Sequence, residues 1–396
     1  MELLKRFFPE KSLPANFLTI DLGSDTVKVL AFKNSHEELV VVGTGKQSLP
    51  WSAVRGGGIA SEEAVLEALN LAVSEATSNL KEHFTTAVVG LTGEMVVNFT
   101  TAARLHRPAT EQLVTSKELA ETEQKLIDVA FIEAEKQLTP FMGLPEVEIE
   151  LITSKLVSVK IDNFVVENPV GFKGDQLEIS LFTAFAPKFY LETWRKLIKT
   201  AKLNLFAFAS ENFALATALQ RQRSEALNAI LLDVGGSCTE VTVVFGGSVV
   251  GSRSLGLGGR YFSEAVSFKL GLSFDEAELK KVAYGSKHLP EEATLTIGKT
   301  LNDCLPIWLD GLALALGDID GIKVLPTKVL VVGGGSQLPG VIKSLQNQPW
   351  DKNLPLGGPL VVENLSQTPL GVKSEVTLSP VFITAVALGL VAAAGL

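Results

Sequence analysis

The chain has 396 residues, 46% of them hydrophobic and 20% charged, with a net charge of −9. That length holds roughly two to four domains with buried cores, and the composition excludes a disordered chain. The acidic balance, without a basic run, argues against nucleic acid as a partner; two distant cysteines and four scattered histidines argue against disulfides and zinc, and for a reducing compartment.

In chain order, Met1–Phe8 lacks the long apolar run of a secretory signal. It places Leu3, Leu4, Phe7 and Phe8 on one helical face and Lys5 and Arg6 on another. So short a helix orders only on a membrane surface or in a partner's groove, and otherwise frays. Phe17–Phe32 reads as strand, glycine turn and strand, and Leu39–Thr44 as a third strand. Gln47–Ile59 is a loop, Ser61 caps a helix reaching about Leu80, and Thr86–Leu91 is a buried strand.

The texture changes at Val96. Thr115–Glu118 fits a capping box opening a helix to about Gln137, with Glu121, Glu123, Lys125 and Asp128 on solvated faces. Glu146–Val159, Asn163–Val166 and Gln176–Thr183 read as antiparallel strands, so this stretch is a small inserted α+β domain. Tyr190–Lys202 and Glu211–Gln220 are helices around a short strand, Leu205–Phe208. Helices follow at Tyr261–Leu270, after Gly258-Gly259, and at Asp275–Tyr284. Lys328–Val332 is a buried strand, and a helix closes the chain over its uncharged last residues, too few to span a bilayer.

Two segments nearly repeat each other. Ile20-Asp21-Leu22-Gly23-Ser24-Asp25-Thr26-Val27-Lys28 and Leu232-Asp233-Val234-Gly235-Gly236-Ser237-Cys238-Thr239 are each a strand ending in Asp, a glycine turn and a second strand. Such turns leave backbone N–H groups free for phosphate oxygens, and the Asp suits a Mg²⁺ held through water. A third signal is Gly333-Gly334-Gly335-Ser336 after a buried strand, where backbone can approach a flat ligand. Dinucleotide, P-loop and nucleophile-elbow patterns are absent.

In this order the turns resemble those of the actin-like ATPase superfamily: a first phosphate turn at Asp21–Lys28, a second at Asp233–Thr239, and an adenosine turn at Gly333–Gln337. Ile161-Asp162-Asn163, Asn168–Gly174 and Ala277-Glu278-Leu279-Lys280-Lys281 with Gly285 are similar to stretches of the FtsA family of bacterial cell division. The turn Gly23–Lys28 and the segment Glu211–Ala216 look as much like the PilM family of type IV pilus assembly. FtsA proteins end in a linker and an amphipathic membrane helix, whereas this sequence stops at the closing helix; Met1–Phe8 would replace that helix, or membrane binding would be absent. Ser237 stands where a third glycine is common, and Asn212 where proline is frequent.

The resemblance implies an α/β, two-lobed actin-like ATPase with duplicated RNase H-like cores. Its parts would be an N-terminal segment (1–15), lobe I (16–95, 185–222 and a closing helix, 371–396), an SHS2-like insert (96–184) and lobe II (223–370). ATP and Mg²⁺ would be the cofactors. Asp21 and Asp233 would hold the metal, while Gly23, Ser24, Thr26, Gly235, Gly236, Ser237 and Thr239 serve the phosphates. Lys28 would reach a phosphate, Gly259, Glu278 and Lys281 the ribose, Gly333–Ser336 the adenine, and Glu211 would orient the attacking water. Nucleotide would act mainly as a switch, with weak hydrolysis at most, for a cytoplasmic protein that assembles into filaments. Its partner would be a tubulin-like division protein or an inner-membrane pilus peptide, with a membrane surface engaged through Leu3, Leu4, Phe7 and Phe8. A small-molecule kinase on the same fold is a further alternative, since fold does not fix function.

Overall fold

The computed structural model describes residues 13–35, 38–107, 111–144, 146–352, 354–365 and 370–395. The apolar stripe of Leu3, Leu4, Phe7 and Phe8 lies outside them. Strands β1 (Asn16–Leu22) and β2 (Thr26–Ser35) form the first hairpin, and β3 (Glu38–Ser48) extends it antiparallel. A small hairpin, β4 (Val54–Arg55) with β5 (Gly58–Ile59), occupies part of the expected loop. Helix α1 (Glu62–Thr77), capped by Ser61, lies directly on β3. A Cβ at Gly45 would fall 1.9 Å from the Ala72 carbonyl oxygen, so only glycine permits that approach. β6 (Thr86–Leu91) then runs parallel to β1.

The next stretch is a helix on a sheet. Strands β7 (Val97–His106), β8 (Ile149–Ile161), β9 (Phe164–Val165) and β10 (Gln176–Pro187) pair antiparallel in the order β7-β10-β8-β9. Helix α2 (Ser116–Met142) buries Leu119, Leu126 and Ile127 against Val159, Ile179 and Leu181. One sequence expectation changes here. Thr115 caps α2 as expected, and the Glu118 carboxylate is held by buried Arg107 at 2.7 and 3.0 Å. Glu123 is buried, not solvated, because its face of α2 turns toward the sheet. The unit also runs into the larger core: Phe182, Ala184 and Ala186 of β10 pack there with β1 and β6 residues.

Helix α3 (Lys188–Thr200), strand β11 (Asn204–Ser210) and helix α4 (Glu211–Arg221) return the chain to the first sheet. The second Asp-Gly unit follows as β12 (Ala229–Val234) and β13 (Thr239–Phe245), with β14 (Ser248–Leu255) after the Gly246-Gly247 turn. Helices α5 (Gly259–Leu270), α6 (Phe274–Gly285) and α7 (Glu291–Gly317) come next. The sequence reading left α7 out, although its Ile297, Leu301, Trp308 and Leu312 stripe fills the second core. Strand β15 (Lys328–Val332), helix α8 (Val341–Asn347), strands β16 (Val361–Asn364) and β17 (Lys373–Ser374) and helix α9 (Ile383–Ala393) complete the chain. Helix α9 sits in the first core, where Thr19 donates to the Ala385 carbonyl at 3.0 Å.

The repeated sequence reflects a repeated topology. The first sheet has the order β11-β6-β1-β2-β3-β17, and the second begins β16-β15-β12-β13-β14. Each half is an antiparallel three-strand meander whose first strand also pairs with a parallel strand: β1 with β6, β12 with β15. The Asp of each unit therefore stands at the carboxyl end of a strand flanked by one parallel and one antiparallel neighbour. Open α/β sheets bind ligands in crevices outside the carboxyl ends of their strands.

Candidate functional site

The two Asp-bearing strand ends and their turns line one cleft of about 540 Å³. Asp21 lies opposite Lys28 in the first hairpin, and the Lys28 ammonium donates to its carboxylate at 2.9 Å. Burial works against the charge on Lys28, but Asp21, with Asp233 and Glu211 behind it, outweighs that and raises its pKa. Gly23 donates its N–H to the Thr26 carbonyl at 2.9 Å, closing the first turn. Both Ser24 and Thr26 line the cleft.

On the other side, Asp233 pairs across the hairpin with Glu240. Burial pushes the Asp233 carboxyl up to about 6, with Lys28 pulling it down and the like charge of Asp21 adding to the rise. Burial likewise pushes Glu240 to about 7, although it accepts from the Asn212 amide at 3.3 Å. Helix α5 begins on this second turn: the Gly259 and Arg260 N–H groups donate to the Gly235 and Gly236 carbonyls, both at 2.8 Å. Gly235, Gly236, Ser237 and Cys238 line the cleft beneath it. Buried Lys281 donates to Glu278 at 2.7 Å and to the Gly259 carbonyl at 2.9 Å, so the helical-turn spacing does bring the pair to the cleft wall.

Glu211 opens α4, but Ser210 is the residue that caps the helix. The Glu211 carboxylate is buried at the cleft and its Oε1 has no partner among the described residues. Burial first, and then the charge of Asp21, raises its pKa well above the usual carboxylate range. Gly333, Gly334 and Gly335 line the far end of the cleft, where a Cβ on Gly334 would meet nothing within 4 Å.

Two expected ligands turn elsewhere. The Thr239 hydroxyl donates to the Leu257 carbonyl at 2.7 Å and accepts from Trp308 Nε1–H at 3.1 Å, so it ties the second turn to α7. The Ser336 hydroxyl donates to the Gly333 carbonyl at 2.7 Å and holds the glycine turn's shape. In both, a buried hydroxyl needed a partner and found it in the backbone. The sequence reading also missed Glu240, Asp25, Arg260 and Asn212. For Glu240 a signal existed: antiparallel pairing across the Gly235–Cys238 turn sets it beside Asp233.

The lining suits a magnesium nucleotide. It offers glycine turns from both lobes, an orphaned buried carboxylate oxygen, the ammonium groups of Lys28, Lys46 and Lys281, and open space at Gly334. Among the described residues, no group of three or more His, Cys, Asp or Glu is placed to hold a metal ion by itself. Two carboxylates with water and substrate phosphates are the usual setting for Mg²⁺.

The family model "Cell division protein FtsA" matches residues 230–387. FtsA of Streptococcus pneumoniae serotype 2 is 23% identical over 348 residues, covering 83% of this chain and 73% of that protein. FtsA of Bacillus subtilis (strain 168) is 20% identical over 360 residues, covering 84% and 76%. Among solved structures, a chain of the PilM-PilN type IV pilus biogenesis complex superposes with a TM-score of 0.66 at 17% identity, covering 96% of this chain and 99% of that one. The ethanolamine utilization protein EutJ of Carboxydothermus hydrogenoformans gives 0.50 at 14% identity, covering 98% and 94%. By fold the chain is an actin-like protein, and in sequence it resembles the FtsA cell-division proteins.

Proposed function

We propose that this chain is an FtsA-type actin-like protein of cell division that binds ATP with Mg²⁺ between its lobes and uses the nucleotide to bias its own assembly. The observation that carries the reading is the convergence of three glycine turns on one cleft, the Asp21 turn from one lobe and the Asp233 and Gly333 turns from the other. Asp21 and Asp233 would hold the metal through water, and Ser24, Thr26 and the N–H groups of the second turn would take phosphate oxygens, for which the Ser237 N–H would give up its bond to Ser24 Oγ. When bound, the metal nucleotide supplies the transferable phosphoryl group and the charge that neutralises the cleft. Glu211, buried with a free oxygen, is the residue suited to orient a water. Ligand contacts to both lobes favour the closed state over the open one, which is how binding would reach an assembly surface.

Assembly would use the sheet edge at Phe164-Val165, residues 77% and 72% exposed, with a tubulin-like division protein as partner. The N-terminal apolar stripe would add peripheral attachment to the inner face of the cell membrane. A pilus-assembly role is the second reading; the similarity to the pilus complex is one of fold, while the matched curated sequences carry the FtsA name. Calorimetric titration tests the nucleotide claim: ATP with Mg²⁺ should bind the wild type, and Asp233→Ala should weaken it. Equal affinity in both would remove the site assignment.

A further inference from the structure

Across the mouth of the cleft the two phosphate turns bond to each other. The Ser237 N–H of the second turn donates to Ser24 Oγ of the first at 2.8 Å. Above this bond lies Arg260, in the first turn of α5. Its guanidinium donates to Asp25 Oδ1 at 2.7 Å, to the Ser24 carbonyl at 2.6 Å and to the Val54 carbonyl at 3.1 Å. Its backbone N–H is bonded to the Gly236 carbonyl, so one residue grips both turns. The side chain is 11% exposed, against 45% for Asp25. The Asp25 carboxylate rests against the second turn: a Cβ on Gly236 would fall 1.9 Å from Asp25 Oδ2.

A carboxylate in that position is a liability for a site that binds phosphates. Like charges repel across a few ångströms, and half-burial screens them only in part. Arg260 supplies the compensating charge from the opposite lobe, in a fixed fork that also fills two backbone carbonyls. We infer that Arg260 is a positioning residue that clamps the two phosphate turns together across the cleft and shields bound phosphates from Asp25. The inference rests on the nucleotide reading and adds to it a residue that neither the turn motifs nor the ribose pair includes. It also predicts a dependence on phosphate number, since adenosine carries no charge for Asp25 to repel.

The test is a double-mutant cycle of Arg260→Gln and Asp25→Asn, read by calorimetry with Mg²⁺–ATP and with adenosine. Arg260→Gln should weaken ATP about three- to tenfold, a range set by a half-exposed charge, and leave adenosine unchanged. Adding Asp25→Asn should restore ATP affinity to near wild type. Trp51 gives a readout without nucleotide: it is 48% exposed and its ring lies 6.0 Å from Phe274 of the other lobe, while the other three tryptophans are buried. Its emission should shift in Arg260→Gln as the clamp loosens. A thermal melt and Arg260→Lys, which keeps the charge and loses the fork, separate loss of the clamp from loss of the fold. ATP affinity unchanged in Arg260→Gln, or a double variant as weak as the single, would overturn the shielding. Unchanged Trp51 emission would overturn the clamp. A wild type that binds no ATP would instead overturn the nucleotide reading, and the shielding with it.

Discussion

Neighbouring glycines in the Gly333 turn should fail in opposite ways. Gly333 has φ +86° and ψ 165°, a combination reserved for glycine, and a Cβ there would fall 2.3 Å from Asp233 Oδ1 and 2.5 Å from the Val234 carbonyl oxygen. The backbone conformation alone costs an alanine about 1–3 kcal/mol, and the contact with a rigid carbonyl adds to it, so Gly333→Ala should lose roughly 3 kcal/mol or more. For a unit of lobe size that is a fall in Tm of about 6–12 °C. Gly334 has no such constraint; its Cβ would enter open cleft. Gly334→Val should therefore melt within about 2 °C of wild type, as substitutions without a clash do. Its isopropyl group would occupy the approach of the adenine, and ATP affinity should fall at least about tenfold. Differential scanning fluorimetry and calorimetric titration read the two axes separately. If Gly333→Ala melts like wild type, the strained turn is wrong; if Gly334→Val binds ATP normally, the base does not lie there.

The cleft acids make stability depend on pH. Asp233 rises from 3.8 to about 6 and Glu240 from 4.5 to about 7, so the folded protein holds protons that the unfolded chain releases. The stability they confer is full below pH about 4 and lost as the pH rises through about 6–7. Nucleotide-free Tm should fall across that window, and Asp233→Asn should flatten the fall; a slope identical in the variant would refute the assignment. At the sheet edge, Phe164→Glu/Val165→Lys should abolish ATP-dependent sedimentation while sparing ATP binding, and unchanged pelleting would remove the edge from assembly. Phe7→Glu/Phe8→Glu should abolish co-sedimentation with anionic liposomes, whereas retained binding would leave the stripe without a membrane role.

Much of the site was legible because its chemistry is local. A strand ending in Asp followed by glycines is written in consecutive residues, and the repeat revealed that two such units exist. What consecutive residues cannot express is pairing across the cleft. Arg260 follows an unremarkable glycine pair, and nothing in the sequence ties it to Asp25, 235 positions earlier. Thr239 misled for the reverse reason. It sits in the right motif, but one residue past the turn a strand's side chains alternate, and its hydroxyl faces the core and Trp308. The insert's edges blur for a physical reason too: β10 starts in one hydrophobic core and ends in another, so no linker marks where a domain would stop.

The charge arrangement leads to a last prediction. Asp21 and Glu211 from one lobe and Asp233 and Glu240 from the other line the cleft, and the Lys28 ammonium is bonded to Asp21. Burial first, and then the like charges beside them in this deficit of cations, raises the pKa values of Asp233, Glu240 and Glu211. A nucleotide triphosphate alone would add more negative charge and deepen the deficit. A divalent cation bridging its phosphates would reverse the sign, because the ion's own charge dominates so small a site. Binding should therefore be cooperative between metal and phosphates. Chelation with EDTA should cost ATP at least about tenfold in affinity, a modest coupling of about 1.4 kcal/mol, and adenosine nothing. In Asp21→Asn/Asp233→Asn, where two repelling charges are gone, metal-free ATP should bind better than it does to metal-free wild type. Metal-free binding of ATP by wild type as tight as binding with Mg²⁺ would refute the argument, since the acids would then be tolerating the phosphates unaided.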